Sequence, residues 1–182
     1  QRPRKNSGSF QRLGRSNARV GYRNVERGTT PSDPRLVRLT TIGVLAVQGD
    51  FEEHLAMLTK LGIEARDVRM PEHIDGLDGL IIPGGESTAQ ARLMDAYELR
   101  QPIKENAANG MAVWGTCAGM VLLAKELTDD RPEPLNLMDI GVERNGYGRQ
   151  INSFECNVNV APLTGGIFRA VFIRAPKIQR VG

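Results

Sequence analysis

Two cysteines in 182 residues, Cys117 and Cys156, cannot build a disulfide framework. Free thiols suit a reducing compartment, so a cytoplasmic location is expected. Histidine is as scarce. His54 and His73 stand far apart, and with the two cysteines they give no metal-ligand spacing. No apolar run approaches the ~18 residues that a membrane helix needs. Aromatic residues are 5% of the chain.

Charge is present in both signs but unevenly spread. Residues 1–40 carry ten Lys/Arg against two Asp/Glu, and the rest carries 14 against 19. The body is therefore mildly acidic and has no basic stripe for nucleic acid. Residues 1–40 are rich in Arg, Ser, Asn and Gly, show no hydrophobic period, and have few aromatics to stack bases. They are expected to form a disordered basic leader. Three readings of it stand open: a solvated tail, an organelle transit peptide, or sequence upstream of the true start, since the chain begins with Gln. Residues 41–182 are long enough for one domain with a sizeable core.

Within that domain Ile42–Val47 is a continuous apolar run, as expected of a central parallel strand. Asp50 is placed to cap the next helix, with Glu53 completing a capping box. Phe51, Leu55, Leu58 and Leu61 recur at helical spacing up to Gly62. Strands are expected over 63–68, 77–82 and 111–114, and helices near 89–95 and 98–109. Strands alternating with helices give an α/β domain with a mostly parallel central sheet. After a polar loop over 128–136 the texture changes. Strands over 139–143, 153–160 and 170–173 follow without helices between them, and antiparallel additions to the sheet are expected.

The stretch that organises the rest is Val113-Trp114-Gly115-Thr116-Cys117-Ala118-Gly119-Met120-Val121-Leu122-Leu123. It reads as strand, tight turn and helix, with the turn in the form Gly-x-Cys-x-Gly. That is a nucleophile elbow carrying cysteine. Flanking glycines let the chain reverse without a Cβ clash. The helix N-terminus favours the thiolate, and the Ala118 N–H is left to meet an oxyanion. A lone cysteine is more often structural; the glycines, strand and helix together favour a nucleophile. A second loop, Gly84-Gly85-Glu86-Ser87, ends the neighbouring strand and could supply a second oxyanion donor. By itself Gly-Gly is only a tight turn.

Five blocks occur in order: Ala46-Val47-Gln48-Gly49, Pro83-Gly84-Gly85-Glu86-Ser87-Thr88, Gly115-Thr116-Cys117-Ala118-Gly119, Glu143-Arg144-Asn145 with Gly148-Arg149-Gln150, and Phe172-Ile173-Arg174-Ala175-Pro176. From about Ile42 to Gly182 the chain resembles the glutaminase subunits of pyridoxal 5′-phosphate synthases, a group of class I glutamine amidotransferases. The resemblance implies a flavodoxin-like amidotransferase fold. It implies hydrolysis of L-glutamine, with ammonia passed to a barrel-fold synthase subunit in a hetero-oligomer, and no cofactor, metal, nucleic acid or membrane. Cys117 would be the nucleophile, with the Gly85 and Ala118 N–H groups as the oxyanion hole. Gly85, Glu86, Ser87, Arg144, Ile173 and Arg174 would hold glutamine: arginine suits its carboxylate and Glu86 its ammonium. Gln48 would lie near the ammonia exit and the partner.

Ala89-Gln90-Ala91, Asn136 and Asn145-Gly146-Tyr147 depart from the usual family wording. The family's base and its orienting carboxylate lie in a His-x-Glu element past the position of Gly182, so the 182-residue chain is expected to be C-terminally truncated and nearly inactive. His54 and His73 read as surface or local packing residues. Two alternatives stay open: another class I cysteine amidotransferase or hydrolase, and a non-catalytic binding module.

Overall fold

A computed structural model describes residues 40–147, 154–160 and 167–182. All of them belong to one compact unit, Arg38–Gly182. The expected disordered leader over 1–40 and the block Gly148-Arg149-Gln150 lie outside the described residues, Thr40 excepted.

The central sheet has four parallel strands in the order β2-β1-β3-β4: β1 Thr41–Leu45, β2 Glu64–Val68, β3 Gly79–Ile82 and β4 Ala112–Gly115. Helix α1 Phe51–Lys60 makes the crossover from β1 to β2, helices α2 Ser87–Ala96 and α3 Arg100–Ala108 that from β3 to β4, and only a 3-10 turn at Pro71–His73 lies between β2 and β3; α4 Ala118–Leu123 follows β4. Alternation along the strands sorts the core onto two faces. On one face Leu45, Leu80 and Ile82 pack with Met94, Leu99, Ile103, Leu122 and Leu123 beneath α2–α4. On the other, Val44 and Ile81 pack with Leu58 of α1, flanked by Phe51 and Leu55. Leu61, expected on that stripe, is exposed because α1 ends at Lys60 and Leu61 is its C-cap.

One expectation about capping is corrected. Asp50 is the N-cap of α1, but its side chain makes no capping bond. Its backbone N–H instead donates to the Gly84 carbonyl oxygen at 3.0 Å. Glu86 does the capping that Asp50 does not: its carboxylate accepts from Thr88 N–H at 3.0 Å and Ala89 N–H at 2.7 Å at the start of α2.

The later strands do not join the central sheet. Ala124–Leu127 (β5) pairs parallel with Met138–Glu143 (β6), which pairs antiparallel with Lys177–Val181 (β9). Phe154–Asn159 (β7) and Ile167–Phe172 (β8) form a separate antiparallel pair. Its anchor is an aromatic group. Phe154 stacks on Phe172 at 4.8 Å, and Tyr147 meets both rings edge-on or tilted. This group fixes the end of β8, from which Ile173 and Arg174 continue into the site.

Candidate active site

With strand order 2-1-3-4, the connections leave β1 and β3 in opposite directions. Such a switch point opens a crevice at the strands' carboxyl ends. The loops after β1, β3 and β4 all reach it. Together they wall a cleft of about 840 Å³, completed by Arg144 and by residues 171–176.

Cys117 sits at the cleft floor with φ 49° and ψ −104°. A non-glycine residue in this region is strained, as at nucleophile elbows generally. The glycines around it serve space. An added Cβ on Gly115 would lie 2.4 Å from the Gly119 carbonyl carbon, and one on Gly119 would lie 2.0 Å from the Ile82 carbonyl oxygen. The sulfur faces the N–H groups of both Ala118 and Gly85, so the two expected oxyanion donors converge on the nucleophile.

The thiol itself departs from expectation. Burial pushes its pKa up, with the Asp50 charge adding to that. The Ala118 N–H, the Arg174 guanidinium and the Gly85 N–H oppose the rise and do not cancel it. α4 has only six residues, and its N-terminus contributes mainly through that first N–H. On balance the pKa is raised above that of an ordinary thiol, which favours the neutral form. Alkylation of Cys117 by iodoacetamide should climb about tenfold per pH unit from pH ~7 to ~9 without a plateau. At fixed pH, Arg174→Ala should slow it. A rate constant over that range would mean that the thiolate is already formed.

The second loop is tied down closely. Gly85 has φ 151°, and a Cβ there would stand 2.6 Å from Gln48 Oε1. Gln48 Oε1 accepts from the Glu86 N–H at 3.0 Å. Gln48 therefore supports the loop after β3 from within the cleft wall. Ser87, the first residue of α2, is buried against the same loop.

Glu86 and Arg144 meet each other. Arg144 Nη2 lies 3.5 Å from Glu86 Oε1 and 3.3 Å from Thr88 Oγ1, while Nη1 donates to the Arg131 carbonyl oxygen at 2.7 Å. A further contact of 3.9 Å reaches Asp129. The arginine is held rigidly at the cleft wall. Burial raises the Glu86 pKa, but the Thr88 and Ala89 N–H groups, the Thr88 hydroxyl and Arg144 outweigh it, and the carboxylate is held below its ordinary value. Arg174 has φ 46° and projects its charge toward Cys117. Ile173 precedes it along the cleft and is largely exposed. Every expected site residue thus lines one cleft.

Two residues belong here that the sequence reading placed elsewhere or passed over. His54, expected as a surface or packing residue, lines the cleft with Cys117. Its ring meets Trp114 edge-on at 5.8 Å, and its Nε2 lies 3.4 Å from Thr116 Oγ1. His73 does pack locally, its Nδ1 accepting from the Arg69 N–H at 3.3 Å. Gln90 is fully buried beneath the second loop, where its Nε2 meets three carbonyl oxygens. Both His54 and Gln90 sit at the i+3 position of an i, i+3, i+4, i+7 stripe that faces the core, and that was the available signal.

Known proteins are similar to this chain. Pyridoxal 5′-phosphate synthase subunit PdxT of Salinispora arenicola is 52% identical over 143 residues, which cover 78% of this chain and 71% of that protein. The protein of the same name from Dehalococcoides mccartyi is 55% identical over 143 residues, covering 78% and 73%. A solved structure described as a glutamine amidotransferase superposes with a TM-score of 0.71 at 46% identity, over 78% of this chain and 75% of that one. Residues 44–182 match the family described as SNO glutamine amidotransferase, and with a cysteine elbow facing two converging N–H donors on a parallel sheet, the chain belongs to that family.

Proposed function

We propose that the chain is a glutaminase that releases ammonia for pyridoxal 5′-phosphate synthesis by a separate synthase subunit. One observation carries the chemistry: the Cys117 sulfur faces the N–H groups of Gly85 and Ala118 within a cleft that holds two arginines. In this reading the sulfur attacks the side-chain amide carbon of L-glutamine. The oxygen that becomes negative is met by the two N–H donors, which are strongest where charge develops. Collapse of the tetrahedral species, with the proton the thiol gave up delivered to the leaving nitrogen, expels ammonia and leaves a thioester that water cleaves to glutamate, regenerating the thiol.

Substrate placement follows from the charges. Arg174 and Arg144 are suited to the α-carboxylate. Glu86 is engaged with Arg144 and the start of α2, so its carboxylate reaches an ammonium only from one side of that pair. Gln48, at the carboxyl end of β1, would border the route of ammonia toward the partner. The names of the relatives support a synthase partner. The barrel fold of that partner, a hetero-oligomeric assembly, a cytoplasmic setting and a domain running from about residue 41 are part of the same proposal.

The test is ammonia release from L-glutamine by a chain extended through the His-x-Glu element that the family resemblance implies, with a pyridoxal 5′-phosphate synthase subunit present. L-Glutamine should be turned over at least about 100-fold faster than L-asparagine, whose shorter side chain cannot bring its amide to Cys117 while its carboxylate stays on arginine. Pyridoxal 5′-phosphate should then form without added ammonium. Equal turnover of the two amides would overturn the reading.

A further inference from the structure

The peptide between Gly84 and Gly85 makes the second oxyanion donor. A trans peptide points its C=O and N–H in opposite directions. The Gly84 oxygen accepts from Asp50 N–H at 3.0 Å and from Gln90 Nε2 at 3.4 Å. With the oxygen held there, the Gly85 N–H is turned toward Cys117. Glycine on both sides offers little resistance to rotation of this plane. A rotated peptide would aim the Gly84 oxygen at the sulfur and abolish the donor. The partners of the peptide, not its own backbone, decide the orientation.

Gln90 is the side chain among those partners. Its Nε2 also lies 2.9 Å from the Gln48 carbonyl oxygen and 3.2 Å from that of Pro83. One amide thus ties the loop after β1 to the loop after β3. The side chain is fully buried, and its Oε1 has no hydrogen-bond partner among the described residues. A buried orphan acceptor is unfavourable for stability. Leucine or methionine would fill the same space without it. What the amide supplies in return is its N–H groups, which hold the carbonyls of two loops.

We propose that Gln90 is a positioning residue: its amide fixes the Gly84–Gly85 peptide so that the Gly85 N–H faces the oxyanion before substrate binds. The proposal rests on the glutaminase reading for its kinetic consequence, but not for its structural one. Three variants test it, made in the chain extended through the His-x-Glu element for the kinetics. Gln90→Leu and Gln90→Met keep the volume without donors, and Gln90→Glu turns acceptors toward three carbonyl oxygens.

With the synthase subunit present, kcat for glutamine should fall about tenfold in the Leu and Met variants and further in Glu, while KM stays within about twofold. Thermal midpoints of the Leu and Met variants should match or exceed the parent. The second readout needs no turnover. In 15N-glycine-labelled protein, hydrogen exchange at the Gly85 amide should speed up at least about tenfold in the variants while that at Gly43 in β1 holds. Unchanged kcat in folded variants, or unchanged Gly85 exchange, overturns the role. Loss of the fold in all three overturns it too, because the amide would then be structural. If the parent releases no ammonia yet Gly85 exchange responds as described, the glutaminase reading fails and the positioning role stands.

Discussion

Cys117→Ala abolishes glutamine hydrolysis, and Cys156→Ala leaves most of it: this is the expected result when both variants are made in a chain extended through the family's His-x-Glu element and assayed for ammonia release with the synthase subunit. The two thiols differ in everything that chemistry requires. Cys117 lies in the cleft on a strained elbow, with two N–H donors and an arginine charge directed at its sulfur. Cys156 lies within β7, paired with Ala170 of β8 and half-buried. Among the described residues it has no turn, no converging donors and no place in the cleft. Removing a nucleophile that works as one unit with its surroundings costs about 10⁴-fold or more, because no other group forms the thioester. Alanine keeps the Cβ, so the elbow itself is not perturbed. Circular dichroism should show both variants folded. Equal losses of activity from two folded variants would remove Cys117 from the mechanism.

How far the sequence disclosed this site depends on whether a residue's role was local. The elbow was legible because strand, Gly-x-Cys-x-Gly and helix are contiguous, and β1 and β3 were legible as apolar runs buried on two faces. β5 was not. Ala124-Lys125-Glu126-Leu127 continues the helix-favouring composition of α4. The chain nevertheless turns extended at Ala124, with φ −58° and ψ 156°, because pairing with β6 outweighs local preference. The carbonyls this frees on Leu122 and Leu123 are met by the N–H groups of Leu135 and Leu137, from beyond the loop. β9 was missed for the opposite reason. Its five residues are all exposed, so no buried face marks them, and only the partner strand β6 makes Lys177–Val181 a strand.

The exchange of roles between Asp50 and Glu86 has a similar origin. Asp50 with Glu53 fits the capping pattern by spacing alone. Asp50 faces the cleft instead, where its charge raises the Cys117 pKa, and its N–H serves the Gly84 carbonyl. Glu86 suits a ligand ammonium by charge alone, yet two N–H groups of α2 claim its oxygens first. Spacing and charge identify what a side chain can bind. Which partner it meets is settled by loops brought together from residues 48–50, 83–90 and 115–118.

Gly119→Ala should yield little or no folded protein. Gly119 does not have a positive φ, so its need for glycine is one of space. A Cβ there would stand 2.0 Å from the Ile82 carbonyl oxygen and 2.8 Å from its carbon. Both are backbone atoms of the last residue of β3, and Ile82 is fully buried. They cannot rotate away as a side chain could. Relief requires α4 to move off the sheet. That movement would stretch the bond from Thr116 N–H to the Ile82 carbonyl, now 3.1 Å, and carry Cys117 out of register with Gly85. It would also open the core where Leu122 and Leu123 pack against Ile82. Overpacking commonly costs about 1–3 kcal/mol when side chains can yield. Here only backbone can yield, against a total stability on the order of 5–15 kcal/mol. Gly62→Ala is the control, because it has φ 69° with nothing within 4 Å of an added Cβ; it should cost only about 1–2 kcal/mol from its backbone conformation. Soluble yield and thermal melting distinguish the two. A Gly119→Ala protein that melts within a few degrees of the parent would show that α4 has slack against β3, and the close packing assigned to the elbow would be wrong.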